Sequence, residues 1–149
     1  MKIRELLEYG KSNLIQKEEP YRLSKILLKN ILNVDSSYLL INSEKEVNKE
    51  AENKYKKGIE DLKSGKPLQY ITNKQEFMGL DFYVDENVLI PQPDTEILVE
   101  EVLNKIEKLK VKINVLDICT GSGAIGVSIA KNATNVNVTM SDISKNALK

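Results

Sequence analysis

The sequence has 149 residues, in which 22 lysines and arginines balance 22 aspartates and glutamates, so the formal net charge is zero. A neutral chain has no overall field that would attract nucleic acid or an anionic membrane surface. The absence of histidine and the single cysteine exclude histidine-based proton transfer, an internal disulfide and a cysteine-based metal cluster. We expect one or two small domains in the cytoplasm, with no metal, no membrane span and no nucleic-acid partner.

Residues 1–65 predict a bundle of helices with no catalytic chemistry of its own. Apolar residues recur at three- and four-residue spacing through most of this region. Ser36 or Ser37 is a candidate cap for a short third helix. A fourth helix is predicted from Val47 to Leu62, and Gly65 is expected to end it.

Residues 66–93 predict a linker that contains a β-hairpin. The segment from Pro67 to Ile71 is typical of extended or turn-like backbone. Alternating apolar residues from Glu76 to Val84 indicate a short hairpin or meander around Gly79. The sequence Pro91-Gln92-Pro93 then predicts a rigid turn.

Residues 94–149 predict the first part of an α/β domain. The expected inner face of its first helix, which begins at Asp94, consists of Ile97, Leu98, Val102, Ile106 and Leu109. An apolar strand then leads into the glycine-rich turn of VLDICTGSGAIG, residues 115–126. A helix and a second strand follow, and Asp142 comes directly after them. This order places backbone N–H groups around a nucleotide-like ligand, with a carboxylate for its ribose.

The two aspartates of this region suggest which ligand is bound. Asp117 lies near the end of a strand, where a charge is costly unless a ligand or a local hydrogen bond compensates it. Two acids suit S-adenosylmethionine, which has a cationic amino-acid part and a ribose, with Asp142 on the ribose. In the alternative interpretation, Asp117 caps the local turn and Asp142 caps a helix near Ser144.

Two strands and one helix cannot cover both faces of a doubly wound sheet. We therefore expect the sequence to be the amino-terminal part of a longer protein. The fold class expected is α/β: a helical bundle, a hairpin linker and the start of a Rossmann-like sheet.

Five segments resemble the bacterial release-factor glutamine methyltransferases in order and spacing. They are GKPLQYI (65–71), EFMGLDFYV (76–84), VLIPQPDTE (88–96), VLDICTGSGAI (115–125) and SDISKNAL (141–148). The resemblance implies a class I methyltransferase that uses S-adenosylmethionine to methylate the glutamine amide in the Gly-Gly-Gln tip of release factors. It also implies that Cys119, Thr120, Gly121, Ser122 and Gly123 surround the methionyl part of the cofactor and that Asp142 binds its ribose. With Asp117, these are the expected cofactor-binding residues. The bundle would dock the release factor, and the protein is expected to be a monomer.

The sequence departs from that family at two places. Gln92 stands where arginine is common, and Ile118-Cys119 replaces a more usual Leu-Gly. We expect Cys119 to have an ordinary negative φ and to be a small buried residue. The family's Asn-Pro-Pro-Tyr motif, which holds the acceptor amide, is expected beyond Lys149. No catalytic residue is therefore assigned here, and the 149-residue chain alone is expected to be inactive.

Three other functions compete with this interpretation. The glycine motif also occurs in NAD-dependent oxidoreductases, although Asp117 and the PQPDTE segment count against that class. A non-catalytic helical adaptor with a vestigial nucleotide fold is a second alternative. A methyltransferase acting on DNA or on a ribosomal protein is a third, and the scarcity of arginine disfavours nucleic acid.

Overall fold

The computed structural model describes residues 1–109 and 111–149. The chain forms two compact units, Met1–Thr72 and Asn73–Lys149. Helices fill the first unit and the second combines helices with two small sheets, which confirms the predicted mixed α/β class. In the described residues, no helix has the length and apolar character needed to cross a membrane.

The first unit consists of helices whose ends follow local signals. They are α1 (Ile3–Asn13), α2 (Pro20–Leu32), α3 (Ser36–Ile41), α4 (Lys49–Lys63) and α5 (Leu68–Thr72). The cap of α3 is Asp35, whose carboxylate accepts the Tyr38 N–H at 2.7 Å, so the prediction of a serine cap is wrong by one residue. An aspartate accepts this bond as well as a serine does, and the helix begins immediately after it.

The carboxyl end of α4 confirms the predicted stop at Gly65. This glycine has a φ of 102°, and its N–H donates to the Leu62 carbonyl at 3.1 Å. The next N–H, that of Lys66, donates to the Asp61 carbonyl at 3.0 Å. These two bonds form a Schellman motif, which pairs carbonyl groups that the helix itself leaves without partners.

The segment from Pro67 to Ile71 is helical rather than extended, which corrects the prediction. Its helix, α5, starts with the Tyr70 and Ile71 N–H groups both donating to the Pro67 carbonyl. Leu68 and Ile71 pack against the core of the first unit, and these contacts stabilise a helix too short to be stable alone. The helical unit therefore extends to Thr72 instead of ending at residue 65.

The core of the first unit combines apolar side chains with one buried pair of hydroxyl groups. Its most deeply buried apolar residues are Ile3, Leu6, Leu14, Leu27, Leu28, Tyr55 and Ile59. The Tyr55 hydroxyl lies 2.6 Å from Ser24 Oγ, which donates to the Leu7 carbonyl at 3.2 Å. Burial raises the pKa of Tyr55 to about 12. The phenol therefore stays protonated, and both hydroxyl groups are paired as burial requires.

Glu52 makes the first unit sensitive to acid. The residue is 4% exposed, and its carboxylate forms ion pairs with Lys56 at 2.6 Å, the Met1 α-amino group at 2.9 Å and Lys49 at 3.0 Å. Hydrogen bonds from Lys56, the α-amino group and Lys49 lower the pKa of Glu52 from 4.5 to about 2.

Because this pKa is lowered on folding, the stability it contributes is present above the unfolded pKa and is lost as the pH falls through the folded one. We expect urea midpoints for the first unit to fall between about pH 5 and about pH 2. In Glu52→Gln the same titration should be flatter, since the amide has no proton to take up. Equal acid sensitivity of the two proteins would contradict this assignment.

The second unit contains an antiparallel hairpin, a parallel strand pair and two helices. They are β1 (Gln75–Phe77), β2 (Leu80–Phe82), α6 (Asp94–Lys108), β3 (Ile113–Ile118), α7 (Ala124–Asn132) and β4 (Val136–Ser141). The hairpin pairs Phe77 with Leu80 across a two-residue turn. Strands β3 and β4 are parallel and joined through α7, as the βαβ pattern predicted.

The hairpin packs into the core of the second unit rather than forming a separate linker between residues 66 and 93. Phe77 and Phe82 meet edge to face with ring centroids 6.2 Å apart. They belong to a buried cluster with Val99, Ile106, Ala124 and Ile129. These aromatic rings provide apolar contact area that the two short strands alone would lack.

The buried face of α6 differs from the predicted one. Val99 and Ile106 are buried, whereas Ile97 and Leu98 are 63% and 52% exposed. The buried stripe runs through Val99, Val102, Leu103 and Ile106, so the helix is rotated relative to the expected inner face. On β3, Leu116 and Ile118 are also exposed, which leaves one face of the strand pair uncovered in this structure.

Candidate functional site

The candidate site is the turn between β3 and α7. Gly123 precedes the first residue of α7 with a φ of 77°, and its N–H donates to the Thr120 carbonyl at 2.9 Å. Gly121 has a φ of 55°. Left-handed backbone at both positions strongly favours glycine, which explains the spacing of the first two glycines. The turn thereby leads directly into the first turn of α7, where the Val127 N–H donates to the Gly123 carbonyl at 2.9 Å.

Asp117 makes local hydrogen bonds within this turn. Its Oδ2 accepts the Thr120 hydroxyl at 2.6 Å and the Gly126 N–H at 3.0 Å. A Cβ on Gly126 would lie 2.8 Å from Met140 Cγ and 3.0 Å from Asp117 Oδ2. A side chain at this position would therefore displace the Met140 side chain or the Asp117 carboxylate. Of the two roles considered for Asp117, these contacts favour the local cap, and a contact with a cofactor stays a prediction.

Asp142 connects the end of β4 to the glycine turn. Its Oδ1 accepts the Ser144 N–H at 2.8 Å, and its Oδ2 accepts the Gly121 N–H at 2.9 Å. The bonds from Ser144 and Gly121 hold the pKa of this carboxyl below its usual range. Asp142 is therefore ionised at neutral pH, half-buried and fixed at the mouth of the turn. Each oxygen keeps further lone-pair capacity, so the local cap does not preclude a ligand.

The structure corrects both expectations about Cys119. Its φ is 62°, in the left-handed region, and its side chain is exposed rather than buried. Cys119 comes directly after the last residue of β3, where the chain leaves the strand to enter the turn. The backbone takes the left-handed conformation there even though cysteine has a Cβ. Residue type alone therefore gave the wrong backbone geometry here.

An open pocket of about 570 Å³ lies beside the turn. Ser122 contributes to it from the turn, and Lys149 and its neighbours contribute from the end of the chain. The remaining wall comes from the segment after the hairpin: Tyr83, Asp85, Asn87 and Val88. Asn146 Nδ2 donates to Asn87 Oδ1 at 3.3 Å across this pocket. Thus four of the predicted site residues, Thr120 to Gly123, form the turn, and one of them, Ser122, faces a cavity.

Two further features of this region were not assigned from the sequence. Glu96 accepts the Met78 N–H at 2.6 Å and also lies in the first turn of α6, where the helix dipole favours an acid. Gln92, which replaces the family's arginine, donates from Nε2 to the Ile90 carbonyl at 2.9 Å and is exposed. The Glu96 contact has no local signal in the sequence, because its partner lies 18 positions away. Among the described residues, no group of three or more acids or cysteines is placed to hold a metal ion.

Comparison with known proteins identifies the family. A family model described as the PrmC N-terminal domain matches residues 5–72, and one described as the methyltransferase small domain matches residues 92–149. A protein named release factor glutamine methyltransferase from Clostridium acetobutylicum is 47% identical over 151 residues, which covers 100% of this chain and 53% of the relative.

Relatives of the same name occur in other bacteria. The protein from Leptospira interrogans is 43% identical over 97% of this chain and 51% of its own length, and that from Streptococcus pneumoniae is 38% identical over 99% and 53%. The chain thus spans about half the length of the curated relatives it matches. Together, matches that include residues of both units show that the chain belongs to the release factor glutamine methyltransferase family and corresponds to the amino-terminal half of its members.

Proposed function

We propose that this chain carries the cofactor-binding and docking part of an enzyme that methylates peptide-chain release factors. The cofactor would be S-adenosylmethionine, and the acceptor would be the side-chain amide of glutamine in the Gly-Gly-Gln tip. The observation that carries the proposal is the ionised Asp142 carboxylate, fixed 2.9 Å from the Gly121 N–H at the mouth of a left-handed glycine turn. This arrangement places a carboxylate that can accept hydrogen bonds from ribose hydroxyls beside a turn whose backbone a nucleotide-like ligand can approach closely.

The residues present fit such a ligand. A Cβ built on Gly121 would meet no atom within 4 Å, so the space beside that residue is open. Asp142 is anchored by two backbone N–H groups, which orient its carboxylate without using all of its acceptor capacity. Ser122 faces the adjoining pocket. In this proposal, Asp142 binds the ribose hydroxyls, and the turn from Cys119 to Gly123 surrounds the methionyl part.

The bound cofactor would supply an electrophilic methyl group on a sulfonium ion. An amide nitrogen is a poor nucleophile because its lone pair is delocalised, so alignment is the main requirement of the reaction. The contribution of this chain is therefore to hold and orient the cofactor. We assign it no proton-transfer residue, in keeping with a sequence that has no histidine. The acceptor amide would be held by the family's Asn-Pro-Pro-Tyr motif.

Docking of the release factor is proposed for the first unit. The support is the family model that matches residues 5–72 as a domain distinct from the methyltransferase domain. A pull-down with a purified release factor, compared with its isolated Gly-Gly-Gln domain, tests this proposal. Retention of the release factor by the protein but not by a variant lacking residues 1–72 is the supporting result.

Replacement of Asp142 by alanine is expected to weaken S-adenosylhomocysteine binding by roughly tenfold or more, because charge-assisted hydrogen bonds to the ribose are lost. Titration calorimetry on the full-length enzyme measures the effect. Thermal denaturation of the same samples shows how much of the loss comes from the broken contacts with Gly121 and Ser144.

Glu107→Ala, on an exposed position of α6, is the matched control and should bind normally. Titration with NAD provides the comparison with the oxidoreductase class. Unchanged affinity in Asp142→Ala, or tighter binding of NAD than of S-adenosylhomocysteine, would refute the cofactor assignment.

A further inference from the structure

Glu96 joins two parts of the second unit that are distant in the chain. It is the third residue of α6, and its Oε1 accepts the Met78 N–H at 2.6 Å across 18 positions of sequence. An acid in the first turn of a helix is already favourable through the helix dipole. Here the carboxylate also accepts a hydrogen bond from a backbone N–H outside its own helix, so the length of the side chain matters for this contact as well as its charge.

The group that Glu96 holds is the tip of the hairpin. Met78 and Gly79 form the two-residue turn and have φ values of 52° and 72°. Such a turn fits the twist of the strands but is uncommon for methionine, whose Cβ disfavours the left-handed region. Glu76 Oε1 accepts the next N–H, that of Gly79, at 2.7 Å. Two carboxylates therefore hold consecutive N–H groups of the tip.

The segment between Met78 and Glu96 also supplies a wall of the pocket that contains Ser122. Val84 is fully buried, and Asn73 Nδ2 donates to its carbonyl at 3.0 Å. Immediately after Val84, the chain contributes Asp85, Asn87 and Val88 to the pocket. The wall is thus a stretch of irregular backbone, with the hairpin on one side and the start of α6 on the other.

We propose that Glu96 is a positioning residue for the cofactor site, a role that rests on the function proposed above. By holding the hairpin tip against the first turn of α6, it closes the 78–96 segment and sets the position of its pocket wall relative to Ser122. Glu96 touches neither cofactor nor acceptor. Its loss loosens the wall and weakens binding in the pocket, while the chemistry of the turn itself is unaltered.

Three substitutions of Glu96 separate the effect of its negative charge from the effect of its side-chain length. Glu96→Gln keeps the length and a carbonyl oxygen that accepts the Met78 N–H. Glu96→Asp keeps the negative charge at the helix terminus but is one methylene shorter. Glu96→Ala removes both, and Glu100→Ala, an exposed acid one turn later on the same helix, is the matched control.

Hydrogen exchange followed by NMR and mass spectrometry, with calorimetric titration of S-adenosylhomocysteine on the full-length enzyme, tests the proposal. In Glu96→Asp and Glu96→Ala we expect the Met78 amide and residues 83–88 to exchange roughly tenfold faster. Cofactor affinity should fall severalfold in the same two variants. Glu96→Gln and Glu100→Ala should remain close to the unsubstituted protein in both measurements, which a general loss of stability would not produce.

The other possible results would contradict either the positioning role of Glu96 or the proposed function. Unchanged exchange of Met78 and residues 83–88 in Glu96→Asp would overturn the positioning role, and so would faster exchange with unchanged cofactor affinity. If Glu96→Ala fails to fold, the comparison of Glu96→Asp with Glu96→Gln decides the question. Failure of the unsubstituted enzyme to bind S-adenosylhomocysteine would instead overturn the proposed function, and the inference with it.

Discussion

Replacing Phe77 with alanine is expected to lower the free energy of unfolding of the second unit by about 3–5 kcal/mol. The ring is 1% exposed and packs edge to face against Phe82 at 6.2 Å. Its removal takes away both the burial of an aromatic side chain and the favourable geometry of the pair.

This loss is measured by hydrogen exchange of the protein at increasing urea concentration, followed in the peptides that cover residues 73–149. Tyr83→Ala is the matched control for stability, because it truncates an aromatic side chain that is 69% exposed. Surface truncations of this kind usually change stability by about 0.5 kcal/mol or less. Similar losses in the two variants would show that Phe77 does not have the central packing role described for it.

Substitution of Gly10 by alanine should destabilise the first unit by about 2 kcal/mol. The added methyl group would overlap the Tyr55 hydroxyl and Ser24 Oγ and would lie 2.9 Å from Ser24 Cβ. Overpacking of this kind costs about 3 kcal/mol where neighbours cannot move. Alanine recovers about 1 kcal/mol through its higher helix propensity, so steric overlap exceeds the gain.

The cause can be isolated with a double substitution. Tyr55→Phe alone removes the hydroxyl and should cost about 1 kcal/mol for the lost hydrogen bond. Combined with Gly10→Ala, it also removes one source of overlap, so the double variant should be more stable than the sum of the single effects predicts. Ser12→Ala, at an exposed position of α1, controls for helix propensity. Strict additivity would contradict the proposed contact between the methyl group and the hydroxyl.

Features encoded by neighbouring residues were predictable from the sequence. The end of α4 at Gly65 and the strand–turn–helix order around Gly121 and Gly123 depend on contacts within a few positions, and both are confirmed. Helix α5 was missed because its stability comes from the packing of Leu68 and Ile71 on a core formed by distant residues. Local propensity carries no information about such packing.

The candidate site shows the same division. The acid after β4 could be identified from its spacing, but its bond to the Gly121 N–H required the parallel register that brings strand ends together. The link from Glu96 to Met78 could not be predicted, because an acid in the first turn of a helix is favourable through the helix dipole whatever else it contacts, and Met78 lies 18 positions away. A side-chain bond to a backbone N–H that is distant in the chain leaves no local pattern from which it could be predicted.

The exposed, left-handed Cys119 offers an experimental use. It is the only cysteine among these 149 residues, so within this half of the protein a maleimide fluorophore would attach at one defined position. That position is the entrance of the glycine turn, two residues before Gly121. A dye placed there would sense ligand binding through changes in its emission, and the rate of its attachment would itself measure how well an occupied turn shields the sulfur.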